Sequence, residues 1–315
     1  MRRLLDDFAT LFDLDTVVAG DRLGDLVLRT IADLEDLALP DWGSAGPPGE
    51  LRSVRGSSLD FHYAPHLFPG METRLRLAHK LQFHMLPRSV PPGAPLSIAA
   101  VLESYCHLSG DLFGWETLAD GQFLIWIVDV SGHGVRAGLA SAVLRVLVDH
   151  LRRRGQVDSL VAELNGTFGG CLREDKSNLF ATGFFLVLSG DGSASYASAG
   201  HPPMLLRRAS GSIEELGSNG LPIGMFPDCR AAATRIRLAP GDVLLLYTDG
   251  VVETVGKDGE LFGVDRVRSI LGPDVDGPRS LTAELYRSIA DHQDMAHLND
   301  DVTFVAARMR ADREP

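Results

Sequence analysis

Apolar positions along the chain follow two rhythms, and the rhythm changes near residue 96. Leu23, Leu26, Val27, Thr30, Ile31, Leu34 and Leu37 keep the i, i+3, i+4 spacing of an amphipathic helix, so residues 1–40 read as helical. Proline and glycine in PDWGSAGPPGE (40–50) stop that pattern, and residues 51–65 read as one or two short strands. A second helix is predicted over 71–86, with Met71, Leu75, Ala78, Leu81, Met85 and Leu86 on or near one face. The four prolines of LPRSVPPGAP (86–95) forbid its continuation. Its plain reading is a helix packed on its own core; a dimerising or signal-carrying helix is the alternative.

From Leu96 onward short β-type segments dominate. LSIAAVLES (96–104) is a strand, and FLIWIVDV (123–130) is a nearly continuous apolar run, as expected for a strand buried on both faces. Helices are predicted over 137–151 and 158–172. Strands follow at 178–189, 194–200, 203–209, 233–239 and 242–249, several separated by turns such as SGDGS and RASGS. Helices return at 264–271 and 280–291, and DVTFVAARM (301–309) closes as a strand. Strands interleaved with a few helical pairs predict a layered α+β sandwich rather than a βαβ repeat.

Composition narrows the classes. The chain has 315 residues, 45% hydrophobic, with a net charge of −12, which excludes a disordered chain and bulk affinity for nucleic acid or anionic membrane. Cys106, Cys171 and Cys229 are widely spaced and form no CxxC pair, which fits a reducing compartment and no zinc or disulfide framework. Aspartates interrupt the first fifteen residues where a signal peptide needs an apolar stretch, and no apolar run is long enough to span a membrane. A cytoplasmic protein without membrane insertion is expected. Arginines far outnumber the three lysines (Lys80, Lys176 and Lys257), which reads as coding bias rather than function.

Four acids stand out by position. Asp111 lies in the glycine-flanked turn SGDLFGW, Asp129 ends the run FLIWIV, Asp249 ends VLLLYT, and Asp300, beside Asp301, precedes VTFVAA. Taken singly, a strand-end aspartate is most often a turn or a helix cap. Carboxylates gathered without cations repel one another, and a hard divalent ion resolves that repulsion. Two such ions sharing a carboxylate can activate a water for attack on phosphorus.

The ordered segments SGDLFGW, IVDVSGHGVRAGLAS, SAGHPPMLL, LYTDGVVE, GELFG and NDDVTFVA resemble the motifs of the metal-dependent protein phosphatases, the PPM or protein phosphatase 2C superfamily, in its SpoIIE-like bacterial branch. LQFHMLPRSVPP is similar to the segment preceding that catalytic domain, so the resemblance runs from about residue 75 to 310. It implies a four-layer α-β-β-α sandwich over 93–310, a linker helix and Pro-rich junction over 71–92, and a helical extension or truncated sensor over 1–70. It also implies Mn²⁺ or Mg²⁺, two ions per site. Asp129 would bridge them, the Val130 carbonyl would bind one, and Asp111, Asp249 and Asp300 would complete the set. Asp300 is preferred over Asp301 because the superfamily places its ligand first in such a pair. The implied reaction is hydrolysis of phosphoserine or phosphothreonine by a two-metal-activated water, with Asp129, Asp111 and His133 as the catalytic set. The implied partner is a phosphorylated protein, typically an anti-anti-sigma protein in a partner-switching circuit, with a homodimer through residues 71–86 as a further expectation.

The sequence departs from the branch pattern GGDFYD at Ser109 and Gly114; loss of the second acid is expected to weaken an outer metal or water contact. His133 is a candidate proton donor to the leaving serine, although lysine at that place in related sequences argues against an obligatory role. His201 reads as a structural hydrogen-bonding residue, and Glu253 as either a support for the site or a helix-start carboxylate. Gly132 and Gly134 let the backbone approach the metals and start the next helix. Arg152–Arg154 read as a solvated helix end. Two competing functions remain at this level: a non-catalytic docking homologue, which the intact acids disfavour, and a hydrolase of small phosphoesters, disfavoured only by resemblance.

Overall fold

The computed structural model describes residues 71–152, 156–173, 178–228, 230–272, 277–293 and 298–311. The expected helix over 1–40 and the strands at 51–65 lie outside the described residues, as does Cys229. Residues 74–315 form one unit by their internal packing and residues 1–73 another. The chain enters through α1 (Met71–His84) and β1 (Leu96–Glu103), then β2 (Leu112–Thr117) and β3 (Phe123–Val130). The helical hairpin α2 (Val135–Leu151) and α3 (Val157–Arg173) follows. Next come β4 (Ala181–Leu188), β5 (Ser193–Ala199), β6 (Met204–Arg207), β7 (Ile213–Leu216), β8 (Thr234–Arg237) and β9 (Val243–Tyr247). The one-turn α4 (Asp249–Val252), α5 (Gly263–Ile270), α6 (Pro278–His292) and β10 (Val302–Met309) complete the order.

Two five-stranded sheets result, β1-β10-β9-β6-β7 and β2-β3-β4-β5-β8, with every described strand pairing antiparallel. Side-chain alternation assigns the layers. In β3, Phe123, Ile125 and Ile127 enter the core between the sheets, where Phe184, Leu186, Leu244, Leu246 and Val305 also lie. Leu124, Trp126, Val128 and Val130 face the opposite way, under α2 and α3. On the other sheet Val243, Leu245, Phe304 and Ala306 lie with Leu281, Leu285 and Ile289 of α6. The architecture is therefore the expected α-β-β-α sandwich.

This explains the uninterrupted apolar run in β3, since both its faces are covered. It also fixes where Asp129 points. Position 129 shares the inter-sheet face with Phe123, Ile125 and Ile127, and a one-residue slip would exchange the two faces. Each large apolar side chain lost from burial would cost about 1.5–3 kcal/mol, so the register is strongly held. Helix α1 stops at His84, short of the expected Leu86. Met85 and Leu86 instead donate to the Gln82 and Phe83 carbonyls in tight turns, because a residue before proline disfavours the α conformation. The strands β2 and β7 were not anticipated, and Asp249 opens α4 rather than ending a strand.

Candidate active site

The carboxylates meet at one edge of the sandwich. Register pairs Leu112 with Val128, so one step further along the ladder Asp111 stands opposite Asp129. Asp129 lies within hydrogen-bonding reach of the Asp111 carboxyl. Across the gap, Thr248 at the end of β9 donates its hydroxyl to Asp111 Oδ2 at 2.9 Å, tying one sheet to the other. The Thr303 amide at the start of β10 donates to the Thr248 hydroxyl at 3.2 Å. A Cβ on Gly250 would fall 2.0 Å from the Asp301 carbonyl oxygen, so the Asp249-Gly250 turn can approach β10 only with glycine there.

Crowding acts on every one of these acids. Burial, then the charges of Asp129 and Asp301, push the Asp111 carboxyl well above the usual carboxylate range, against hydrogen bonds from Thr303 and Thr248. Asp129 is pushed up to about 7, first by burial and then by Asp249 and Asp300. Asp300 rises to about 6, again chiefly through burial, with the Asp301 amide and His133 pulling the other way. Burial also raises Asp249 and Asp301. Among the described residues no Lys or Arg is ion-paired with any of the five.

Asp300 and Asp301 divide their work. Asp301 is buried and spends both oxygens on the main chain, accepting from Tyr105 N and Gly110 N at 2.7 Å each. It thereby pins the loop that carries Asp111. Asp300 is more open to solvent than Asp301, and among the described residues its carboxylate accepts only the neighbouring Asp301 amide, at 2.8 Å. Of the pair, among the described residues, only Asp300 keeps an oxygen without a hydrogen bond.

The donor set is oxygen-only and anionic, which suits Mg²⁺ or Mn²⁺. No group of three or more His, Cys, Asp or Glu side chains among the described residues is arranged to hold an ion as it stands. The acids are gathered but not closed on one point. A small hard cation tolerates this, because it keeps several waters and takes only one or two carboxylates. The Val130 amide bonds the Gly110 carbonyl at 3.3 Å, which sets the neighbouring Val130 main chain beside the Asp111 loop.

The remaining candidates fall on either side of the line. His133 is exposed at the rim, edge-on to the Tyr105 ring with centroids 4.8 Å apart. His201 is buried and holds Thr182, the cross-strand partner of Asp129, through Nδ1 at 2.9 Å. Its Nε2 faces the Tyr247 carbonyl without a well-formed bond, and burial drives its pKa down to about 3. It is neutral and structural. Glu253 is exposed and closes α4, its amide bonding the Asp249 carbonyl at 2.8 Å, so it stands at a helix end rather than a start. Gly132 and Gly134 have φ of 84° and 79°, and Gly134 caps α2. Arg152 ion-pairs with Asp149 and Glu116; Arg153 and Arg154 lie outside the described residues.

Gly114 has a structural cause that the sequence conceals. It pairs with Trp126, and a Cβ there would lie 2.5 Å from the indole. That face looks into the helix layer, away from Asp111 and Asp129. An acid at 114 would meet Trp126 rather than a metal, so its loss does not open the site. Thr248, Thr303 and Gln82 were missed. The first two are polar residues at inter-sheet positions of otherwise apolar strands, a signal that strand parity carries once the register is known.

Comparison with known proteins bears on the fold and the family. The chain is 27% identical over 258 residues to protein IcfG of Synechocystis sp., covering 74% of this chain and 41% of that protein. It is 27% identical over 235 residues to phosphoserine phosphatase RsbP of Bacillus subtilis, covering 73% and 56% respectively. The chain thus spans about half the length of these curated relatives. The SiaA-PP2C domain of Pseudomonas aeruginosa superposes with a TM-score of 0.64 at 21% identity, covering 76% of this chain and 96% of that domain. The family described as Stage II sporulation protein E (SpoIIE) matches residues 119–310, a span that contains Asp129, Asp249 and Asp300 and begins just after Asp111. That span is more than half of the sequence, and the chain belongs to the SpoIIE family.

Proposed function

We propose that the chain is a metal-dependent protein serine/threonine phosphatase whose site is built by Asp111, Asp129, Asp249 and Asp300 with the Val130 carbonyl. The observation that carries this reading is the gathering of acids from both sheets at one edge, all with raised pKa and none ion-paired with a Lys or Arg among the described residues. A divalent cation offsets such repulsion directly. Family membership, and a relative named as a phosphoserine phosphatase, support the same reaction.

When bound, Mn²⁺ or Mg²⁺ supplies Lewis acidity and a water ionised near neutral pH. The protein's own residues do the rest. Asp129 near the end of β3 and Asp111 in the loop just before β2 hold oxygens toward the same space. Asp249 and Asp300 approach from the other sheet and set the width of the site. Asp301 keeps the Asp111 loop in place without offering an oxygen of its own. His133 stands at the rim, where an imidazole can give a proton to a departing serine oxygen. The substrate is a phosphorylated protein of the anti-anti-sigma kind in a cytoplasmic partner-switching circuit. Residues 93–310 form the catalytic domain, 71–92 a linker that serves as a dimer contact, and 1–70 an extension.

Phosphate release with Mn²⁺ from a phosphoserine protein and from p-nitrophenyl phosphate tests this, comparing the unmodified chain with Asp129→Asn. Activity on the phosphoprotein that falls at least a hundredfold in the variant is expected. Equal rates for the two chains would end the enzymatic reading, and activity confined to the small ester would replace the protein substrate with small phosphoesters.

A further inference from the structure

The most buried described residue of α1 is polar. Gln82 is 5% exposed and lies in the helical stripe Leu75, Ala78, Gln82, where an apolar side chain is expected. Its carboxamide meets the main chain of Ser109 as a neighbouring strand would. Ser109 N donates to Oε1 at 2.9 Å, and Nε2 donates to the Ser109 carbonyl at 2.6 Å. Nε2 also reaches the Ser141 hydroxyl on α2 at 3.0 Å, and that hydroxyl donates to the same Ser109 carbonyl at 2.9 Å. Ser109 and Ser141 are fully buried. Two residues on, the Asp111 amide donates to Ser109 Oγ at 3.0 Å.

Ser109 lies in the loop before β2, and its amide and carbonyl find no main-chain partner among the described residues. Buried main-chain groups left unpaired are costly. Gln82 and Ser141 satisfy both groups, while Asp301 grips Gly110 from the opposite side at 2.7 Å. The segment Ser109–Gly110–Asp111 is thus held between two clamps. One comes from the helix layer, the other from the sheet that carries Asp249 and Asp300.

We propose that Gln82 is a positioning residue for Asp111. The α1 carboxamide, backed by Ser141, fixes the loop and so the aim of the carboxylate toward a divalent cation. This rests on the metal-site reading given above. A plain adhesive role for Gln82 would alter stability alone. The positioning role also alters the site, because an apolar residue at 82 strands the Ser109 amide and leaves its carbonyl with the Ser141 hydroxyl alone. The loop must then move to reach water, and Asp111 moves with it.

Mn²⁺ titration calorimetry together with thermal unfolding separates the two roles in the full chain. Gln82→Leu is expected to weaken Mn²⁺ binding about tenfold or more, the range seen when supports of metal ligands are removed. Ser141→Ala is expected to weaken it less. Gln82→Glu keeps the acceptor for Ser109 N but loses the donor to its carbonyl, and should fall between them. Leu285→Ala in α6, buried in the opposite layer, should lower the melting temperature while leaving Mn²⁺ affinity unchanged. Unchanged affinity in Gln82→Leu and Ser141→Ala, alongside lower melting temperatures, would overturn the proposal. Should Gln82→Leu not fold, Gln82→Glu and Ser141→Ala decide by the same criterion. An unmodified chain that binds no Mn²⁺ would overturn the metal-site reading and this inference with it.

Discussion

Asp111 is the most confined acid of the site, 1% exposed, its carboxylate held by the Thr248 hydroxyl and its amide by Ser109 Oγ. Its Thr248 partner is the nearest test of how much such holding matters. Thr248→Val keeps the shape but removes the donor to Asp111 Oδ2 and the acceptor for the Thr303 amide. We expect Mn²⁺ affinity to drop about 10–100-fold and stability to fall by about 1–3 kcal/mol. Thr248→Ser, which retains the hydroxyl, should restore most of both. Calorimetric Mn²⁺ titration and urea unfolding measure the two effects, and a valine variant with undiminished Mn²⁺ affinity would remove Thr248 from the site. At this scale the acids were legible because they recur in ordered motifs beside glycines. The threonines were not, since a Thr before Asp-Gly reads locally as a turn. Only the pairing of β9 with β10 shows that Thr248 and Thr303 face Asp111.

At the scale of elements, the long helices and most strands followed from periodicity, whereas β2 and β7 did not. LFGWET carries a central glycine, which weakens a strand signal, and IEEL is too short and too exposed to show alternation. Tertiary pairing builds both: β2 lies along β3 over six residues, and β7 along β6. The glycine in β2 is needed because the Trp126 indole occupies the space a Cβ would take, with the Arg145 guanidinium 5.4 Å from the indole ring centre. Restoring the acid that the branch pattern carries should therefore harm the layer and not help the metal. Gly114→Asp is expected to destabilise by at least the 1–3 kcal/mol of an overpacked core, with Mn²⁺ affinity no tighter than in the unmodified chain. Thermal unfolding beside a Mn²⁺ titration checks this, and a variant that binds Mn²⁺ more tightly would place position 114 on the metal side after all.

For the molecule as a whole, the gathered acids and the buried imidazole oppose each other in their response to pH. Asp129 and Asp300, raised from 3.8 to about 7 and about 6, hold protons in the folded, metal-free chain that the unfolded chain has already released. Their contribution is therefore present at low pH and is lost as pH rises through 6 and 7. His201, lowered from 6.5 to about 3, acts the other way, because the unfolded chain takes up a proton that the folded chain refuses. Its contribution is present above 6.5 and is lost as pH falls toward 3. With a chelator present the acids prevail, and the melting temperature should decline between about pH 5 and pH 7. With saturating Mn²⁺ the acids stay ionised in the fold, their proton uptake is suppressed, and the slope should reverse, leaving His201 to make the chain more stable toward neutral pH. Asp129→Asn should flatten the chelator curve by removing one of the titrating groups. Melting curves taken across that interval with chelator and with Mn²⁺ test the idea, and two parallel curves would show that the acids at the sandwich edge do not bind the metal.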